Sequence, residues 1–289
     1  MTAPDNIQTD NIQTDSTGIV TAGVLQLRPT ADRDANLADV ADLIDQAAAR
    51  GVAILQLPEL FSVPFVKPMP PDPDYLVYGE SLDGPSNTMV QEKSREHGMT
   101  IISSIFEKTA ATGVYHNTAT IFVNGERRLD YRKSHLPLSY NFPEKSYFRP
   151  GDESPGVVDA DGIGVSTIIC YERHFPELAR TAAVQGATVL GIPIASGNGY
   201  KRETFDLELK AHAVFNCMYV LAGNRIGVEG PKEYFGGSSI YGPDGETVAT
   251  ATDNGENELV VGDIDLGQLP AKRAFGRPFL RDRRFDLYK

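Results

Sequence analysis

The sequence predicts an α/β protein, and three observations carry that reading. From Ile19 onward, short β-branched runs alternate with stretches of helical spacing. The alternation is interrupted by an irregular stretch and then resumes in a second half of the same kind, with no linker between the halves. The composition is that of an ordinary globular chain: 289 residues, 41% hydrophobic and 23% charged, ample for a full core.

Residues 1–17 hold a direct repeat, Asp5-Asn6-Ile7-Gln8-Thr9 followed by Asp10-Asn11-Ile12-Gln13-Thr14. It is polar and too short to build a core, so a disordered tail is expected there, with one domain over 18–289. Residues 19–27 read as a strand. Leu37, Val40, Ala41, Ile44, Ala47 and Ala48 recur at helical spacing over 36–50, and Gly51 stops the helix. A second strand covers 52–57. Pro64, Pro68, Pro70, Pro71 and Pro73 make 62–79 a long irregular loop, and such loops are often functional. A helix over 86–97 ends at Gly98. Strands follow over 100–106 and 115–123, and Asn124-Gly125 turns the chain into 127–131, a hairpin.

After a loop over 134–152 the pattern recurs: strand 165–169, helix 176–185, strand 188–192, helix 204–216 and strand 218–222. The turn Pro243-Asp244-Gly245 joins strands over 236–241 and 247–250, and a last strand covers 259–264. The tail over 273–289 mixes arginine with Phe275, Phe279, Leu280, Phe285, Leu287 and Tyr288. That composition marks interfaces, so a homo-oligomer is expected, a dimer or a larger even-numbered assembly.

The net charge of −12 argues against a nucleic acid or an anionic membrane surface as partner and leaves a small-molecule substrate. No apolar run approaches the roughly 20 residues of a membrane span. Two cysteines do not make a disulfide framework and fit a reducing compartment. The acidic, polar start is not a signal-peptide pattern, and a cytoplasmic location is expected.

Three chemically active residues follow strands. Strand 52–57 runs into Pro58-Glu59, strand 127–131 into Arg132-Lys133, and strand 165–169 into Cys170. In open α/β sheets the carboxyl ends of strands are where ligands bind. Cys170 is placed before a helix that Pro176 opens, so a helix dipole is expected to favour its thiolate. A carboxylate beside a thiol can take its proton and later activate water. A lysine can stabilise both the thiolate and the oxyanion that follows. Taken singly, Cys170 also reads as a buried structural cysteine, Glu59 as a structural carboxylate and Lys133 as a solvated side chain.

Together the three segments resemble the nitrilase superfamily of carbon–nitrogen hydrolases. The resemblance rests on Leu57-Pro58-Glu59-Leu60-Phe61, on Tyr131-Arg132-Lys133-Ser134-His135-Leu136-Pro137, and on Ile169-Cys170-Tyr171-Glu172-Arg173-His174-Phe175-Pro176-Glu177. It implies a four-layer αββα sandwich and hydrolysis of non-peptide C–N bonds through a covalent thioester-type intermediate. It also implies a second glutamate, matched here by Glu144, which would orient Lys133 and the substrate nitrogen. Within the superfamily the chain looks most like β-ureidopropionase and the N-carbamoyl-amino-acid amidohydrolases, because Arg173 and His174 follow the cysteine; N-carbamoylputrescine amidases and ω-amidases are the alternative branch.

On this reading Arg173 binds a substrate carboxylate, since a guanidinium matches a carboxylate with two parallel hydrogen bonds. His174 and His135 are further candidate substrate contacts. Arg173 could instead pair with Glu172 or Glu177. A Cys–His enzyme using His174 or His135 as base, and a catalytically silent binding protein on the same fold, are the other readings. Cys217 reads as core, and His97, His116 and His212 as surface or packing residues. There is no His-Glu-x-x-His and no Cys-x-x-Cys pair, so neither a metal nor another cofactor is expected.

Overall fold

Helix α1 (Arg33–Ala49) starts where the Asp32 side chain accepts the Ala35 N–H, and α2 (Pro85–His97) stops where Gly98 takes a left-handed conformation, φ 60°. These two helices and strands β1 (Ile19–Gln26), β2 (Ile54–Gln56), β3 (Thr100–Lys108), β4 (Tyr115–Val123) and β5 (Glu126–Arg132) make the first half. The second half holds β6 (Val157–Ala160), β7 (Ile163–Thr167), α3 (Pro176–Val184), β8 (Val189–Pro193), α4 (Arg202–Asn216) and β9 (Tyr219–Gly223). It continues with β10 (Ile226–Glu229), β11 (Lys232–Phe235), β12 (Ser239–Tyr241), β13 (Thr247–Thr250) and β14 (Glu258–Asp265). The computed structural model describes residues 18–197 and 199–288, so the expected tail over 1–17 lies outside the described residues.

The strands form two six-stranded sheets, β14-β1-β2-β3-β4-β5 and β13-β12-β9-β8-β7-β6, and the ribbon β10-β11 stands apart. Strands β1, β2 and β3 are parallel, as are β7, β8 and β9. Both β3 and β5 run antiparallel to β4, so β2, β3 and β5 point the same way.

The sheets pack face to face: Val20, Val24, Ile54, Ile102 and Ile121 of the first share one apolar core with Val165, Val189, Tyr219, Leu221 and Ile240 of the second. Helices α1 and α2 cover the outer face of the first sheet through Val40, Ile44, Ala47 and Val90. Helices α3 and α4 cover the second through Ala179, Ala182, Ala183, Phe205, Leu209 and Ala213. This is the four-layer αββα sandwich. The seam is tightest at Gly191 on β8, where a Cβ would lie 2.2 Å from Gln56 Oε1 and 2.4 Å from Ile102 Cδ1. Only glycine lets β2 and β8 approach this closely.

Three expectations change. Strand β6, hairpinned with β7, lies in a stretch for which no strand is expected, because four residues, Val157-Val158-Asp159-Ala160, are too few to carry a period. The ribbon β10-β11 was also missed; Gly227, Gly230, Pro231 and charged residues mask its pattern. Strand β7 ends at Thr167, and Cys170 opens a one-turn 3₁₀ helix over Cys170–His174 rather than abutting α3. Among the described residues, no helix is long and apolar enough to cross a membrane.

Candidate active site

Glu59 stands three residues past β2, on a turn where Leu60 adopts φ 49°, a left-handed conformation rare for leucine. Neighbouring elements hold that turn. The Glu59 N–H donates to Ile194 O at 3.3 Å and the Leu60 N–H to Ser104 Oγ at 3.2 Å. The buried Arg225 donates to Glu59 O at 3.0 Å, Leu60 O at 2.6 Å and Val63 O at 2.7 Å. Lys133 directly follows β5, and its N–H donates to Asn117 O at 2.8 Å. Glu144 comes from a short 3₁₀ turn over Glu144–Ser146.

These side chains meet in one buried cluster. Lys133 Nζ donates to Glu59 Oε1 at 2.7 Å and to both oxygens of Glu144 at 2.8 Å. Asn117 Nδ2 donates to Glu59 Oε1 at 2.7 Å and to Glu144 Oε2 at 3.3 Å. Burial works against the Lys133 charge, but Glu144 and Glu59 outweigh it and hold the ammonium protonated well above its ordinary range. Burial and the nearby Glu59 charge push the Glu144 carboxyl up against the pull of Lys133. Glu59 Oε2 is buried and accepts no hydrogen bond among the described residues. A buried polar atom without a partner calls for an explanation, and a proton acceptor awaiting its donor is one.

Cys170 sits at φ 44°, only 7% exposed, at the floor of a cavity of about 390 Å³ that Glu144, Phe142, Arg173, His174 and Tyr200 also line. The expectation that a helix dipole favours thiolate does not hold here. Burial first, then the Glu59 charge, push the thiol up to about 12, and Lys133 and Arg173 counter only in part. The resting group is the thiol, so a base must take its proton.

The structure pairs Arg173 with neither Glu172 nor Glu177. Arg173 is 3% exposed, donates from Nε to Glu208 Oε2 at 3.1 Å, and lies over the rings of Tyr200 and Phe205 at 5.0 and 5.3 Å. The same carboxylate accepts from Tyr200 OH at 2.6 Å and lies 2.7 Å from His174 Nδ1. Burial opposes the Glu208 charge, yet His174, Tyr200 and Arg173 hold its pKa below the usual carboxylate value. Glu172 is fully buried and structural. It accepts from Tyr131 OH, Ser134 N–H and Oγ, and Ile169 N–H at 2.6–2.8 Å.

His135 stacks on Phe175 at 4.1 Å beside a neighbouring cavity and does not line the one holding Cys170. Cys217 is core. Asn117, Glu208, Tyr200 and Arg225 were not singled out as site residues. Nothing local in Asn224-Arg225-Ile226-Gly227 tells that Arg225 reaches a residue 166 positions away.

A buried carboxylate with one free oxygen, an ammonium and a thiol can together support attack on a carbonyl carbon and stabilise the oxyanion that forms. Residues 21–274 match the family model described as carbon-nitrogen hydrolase. The chain belongs to the carbon–nitrogen hydrolase family. It is therefore a hydrolase of C–N bonds other than peptide bonds, with the nitrilase-superfamily sandwich. It is 34% identical to the N-carbamoylputrescine amidase of Solanum tuberosum, over 94% of each chain. It is 30% identical to the citrullinase of Francisella tularensis, over 93% of this chain and 96% of that one. The crystal structure of a carbon-nitrogen hydrolase from Helicobacter pylori G27 superposes with a TM-score of 0.85 at 30% identity, covering 94% of this chain and 97% of that chain. The N-carbamoylputrescine amidase is of the branch held as the alternative to β-ureidopropionase.

Proposed function

We propose that this hydrolase cleaves the ureido group of an N-carbamoyl amine, with N-carbamoylputrescine as the model compound. The observation that carries the reading is the commitment of Arg173. Glu208 already binds its Nε and two rings flank the guanidinium, so a substrate carboxylate would meet an arginine whose charge is already balanced by a carboxylate. Similarity to an N-carbamoylputrescine amidase supports the same class, and similarity to a citrullinase supports the ureido group as the site of cleavage.

In the proposed reaction Glu59 accepts the Cys170 proton as sulfur attacks the carbamoyl carbon. Lys133 donates to the oxyanion, and Glu144 orients Lys133 and the substrate nitrogen. One C–N bond breaks, and its nitrogen leaves carrying the proton. Water activated by Glu59 then opens the thioester-type intermediate. Overall R–NH–CO–NH₂ and one water give R–NH₂, CO₂ and NH₃. The N-carbamoyl amino acid reading, N-carbamoyl-β-alanine foremost, keeps one observation in its favour: Arg173 and His174 both line the cavity.

Ammonia release decides between them. The panel is N-carbamoylputrescine, citrulline, N-carbamoyl-β-alanine, a simple aliphatic amide and a nitrile. The highest kcat/KM is expected on N-carbamoylputrescine; a preference for citrulline, which carries a carboxylate, would count for the acid branch. A preference for N-carbamoyl-β-alanine would return the assignment to the acid branch.

A further inference from the structure

The position of Arg173 beside the sulfur has no place in the reaction as described. Nη1 lies 3.7 Å from Cys170 Sγ and donates to Cys170 O at 3.0 Å. Among the described residues it is the one donor that reaches the sulfur. The arm is fixed from several sides. Glu208 binds Nε, Tyr200 and Phe205 flank the guanidinium, and His212 Nε2 lies 2.7 Å from the Arg173 backbone carbonyl.

The second cation near the sulfur is Lys133, whose ammonium is held between two carboxylates. A thiolate forming here faces Glu59 and Glu144 as anions and Lys133 and Arg173 as cations. Lys133 is thus locally overbalanced by negative charge. Arg173 answers to a single carboxylate that also binds Tyr200 and His174.

We infer that Arg173 is a catalytic residue that stabilises the Cys170 thiolate by donating from Nη1 to Sγ, with Glu208 as the positioning residue that aims it. The inference rests on Cys170 being the nucleophile but is independent of which substrate the cavity takes. When Glu59 removes the thiol proton, the negative charge appears on sulfur within reach of a guanidinium already desolvated and oriented, so little reorganisation is needed.

The test needs no substrate. The rate at which iodoacetamide, an uncharged reagent, alkylates Cys170 is measured from pH 6 to 10 in wild type, Arg173→Gln and Arg173→Lys. The Cys170→Ala protein supplies the background from Cys217. Arg173→Gln is expected to alkylate about tenfold more slowly at a fixed pH, the effect of one pKa unit, with the whole profile displaced to higher pH. It is also expected to lose similar factors of kcat/KM on N-carbamoylputrescine and N-carbamoyl-β-alanine. Arg173→Lys is expected to be displaced the same way by a smaller factor, because one ammonium held by Glu208 cannot also fork to the sulfur. Should the glutamine protein fail to fold, the lysine profile alone decides. A profile superimposable on wild type, with activity lost on the acid substrate alone, would overturn the inference and make Arg173 a carboxylate reader. Activity surviving in Cys170→Ala would instead fail the nucleophile assignment.

Discussion

Arg225 and Glu59, 166 positions apart in sequence, are joined by a 3.0 Å hydrogen bond from the guanidinium to the Glu59 carbonyl, and two further bonds hold Leu60 and Val63. Arg225→Lys keeps the charge but puts its donors on one nitrogen and loses the planar fork that spans Glu59, Leu60 and Val63. Misplacing a reacting group by about 1 Å can cost on the order of 10²-fold in rate. A fall in kcat of tenfold or more, with a smaller change in KM, is expected. In a Glu59→Gln background the same substitution is expected to cost little more, since its effect passes through Glu59. Fully additive losses would show that Arg225 acts elsewhere.

Cys170→Ala is expected to abolish turnover and leave the fold intact. Alanine keeps a Cβ at the same φ, so backbone strain is unchanged, and the melting temperature is expected to move by only a few degrees. Ammonia release above a small percentage of wild type would refute the nucleophile.

Glu59→Gln is expected to lower kcat by roughly 10²- to 10⁴-fold, the usual worth of a general base. Lys133→Met is expected to lower it by about 10²- to 10³-fold through the lost oxyanion donor. The lysine variant is also expected to be destabilised, on the order of 3–5 kcal/mol, because it leaves Glu59 and Glu144 buried without their cation. Denaturant melts separate the two effects. A lysine variant as stable as wild type would mean that the carboxylates are not held as a charged set. If His174→Ala were far more damaging than Glu59→Gln, a Cys–His mechanism would replace the one proposed.

Lys232 supplies a pH signature. It is buried between the rings of Phe65 and Phe142, at 4.7 and 4.8 Å, beside a cavity of about 680 Å³ that contains none of the reacting groups. Burial carries its pKa down to about 7, while the charge of Glu229 works the other way. A folded-state pKa below the unfolded value of 10.5 means that the unfolded chain binds more protons between these limits. The penalty is therefore full below about pH 7 and is relieved as the pH rises toward 10.5. Lys232→Met is expected to melt higher than wild type at pH 6, with the gap closing by pH 10. A gap that widens with pH would reverse the sign.

The tail over 273–288 carries Phe275, Phe285 and Leu287 at 85%, 76% and 67% exposure. We propose that it covers itself against another copy of the chain. Light scattering at micromolar concentration is expected to give an even multiple of the monomer mass. Deleting the tail is expected to reduce that mass, and a monomer in the intact protein would refute the assembly.

The strand–helix alternation and the placement of Glu59, Lys133 and Cys170 at strand ends were legible in the sequence because their signals are local, whereas the face-to-face packing of the two sheets came only with the family resemblance. Glu59, Lys133 and Cys170 each stand within three residues of a strand end, and glycine or Asn-Gly marks the turns between elements. What was not legible depends on distance along the chain. Asn117 lies 58 positions from Glu59, and Glu208 lies 35 from Arg173. No spacing rule links residues on separate elements. The same limit hides the partner of Arg173, because the carboxylate that binds it, Glu208, stands on α4. The thiolate expectation failed for a related reason, because burial and a neighbouring carboxylate are tertiary facts.

The glycine at position 191 gives the two sheets their separation, and the reacting atoms are divided between those sheets. Glu59 and Lys133 arrive with the first half of the chain and Cys170 with the second. Neither half alone is a damaged enzyme; it is simply not one. Chemical competence is created in the act of docking, which also buries the sulfur and pushes its pKa up, so the fall in its reactivity toward a small alkylating agent reports, during refolding, the moment at which the two layers close on each other.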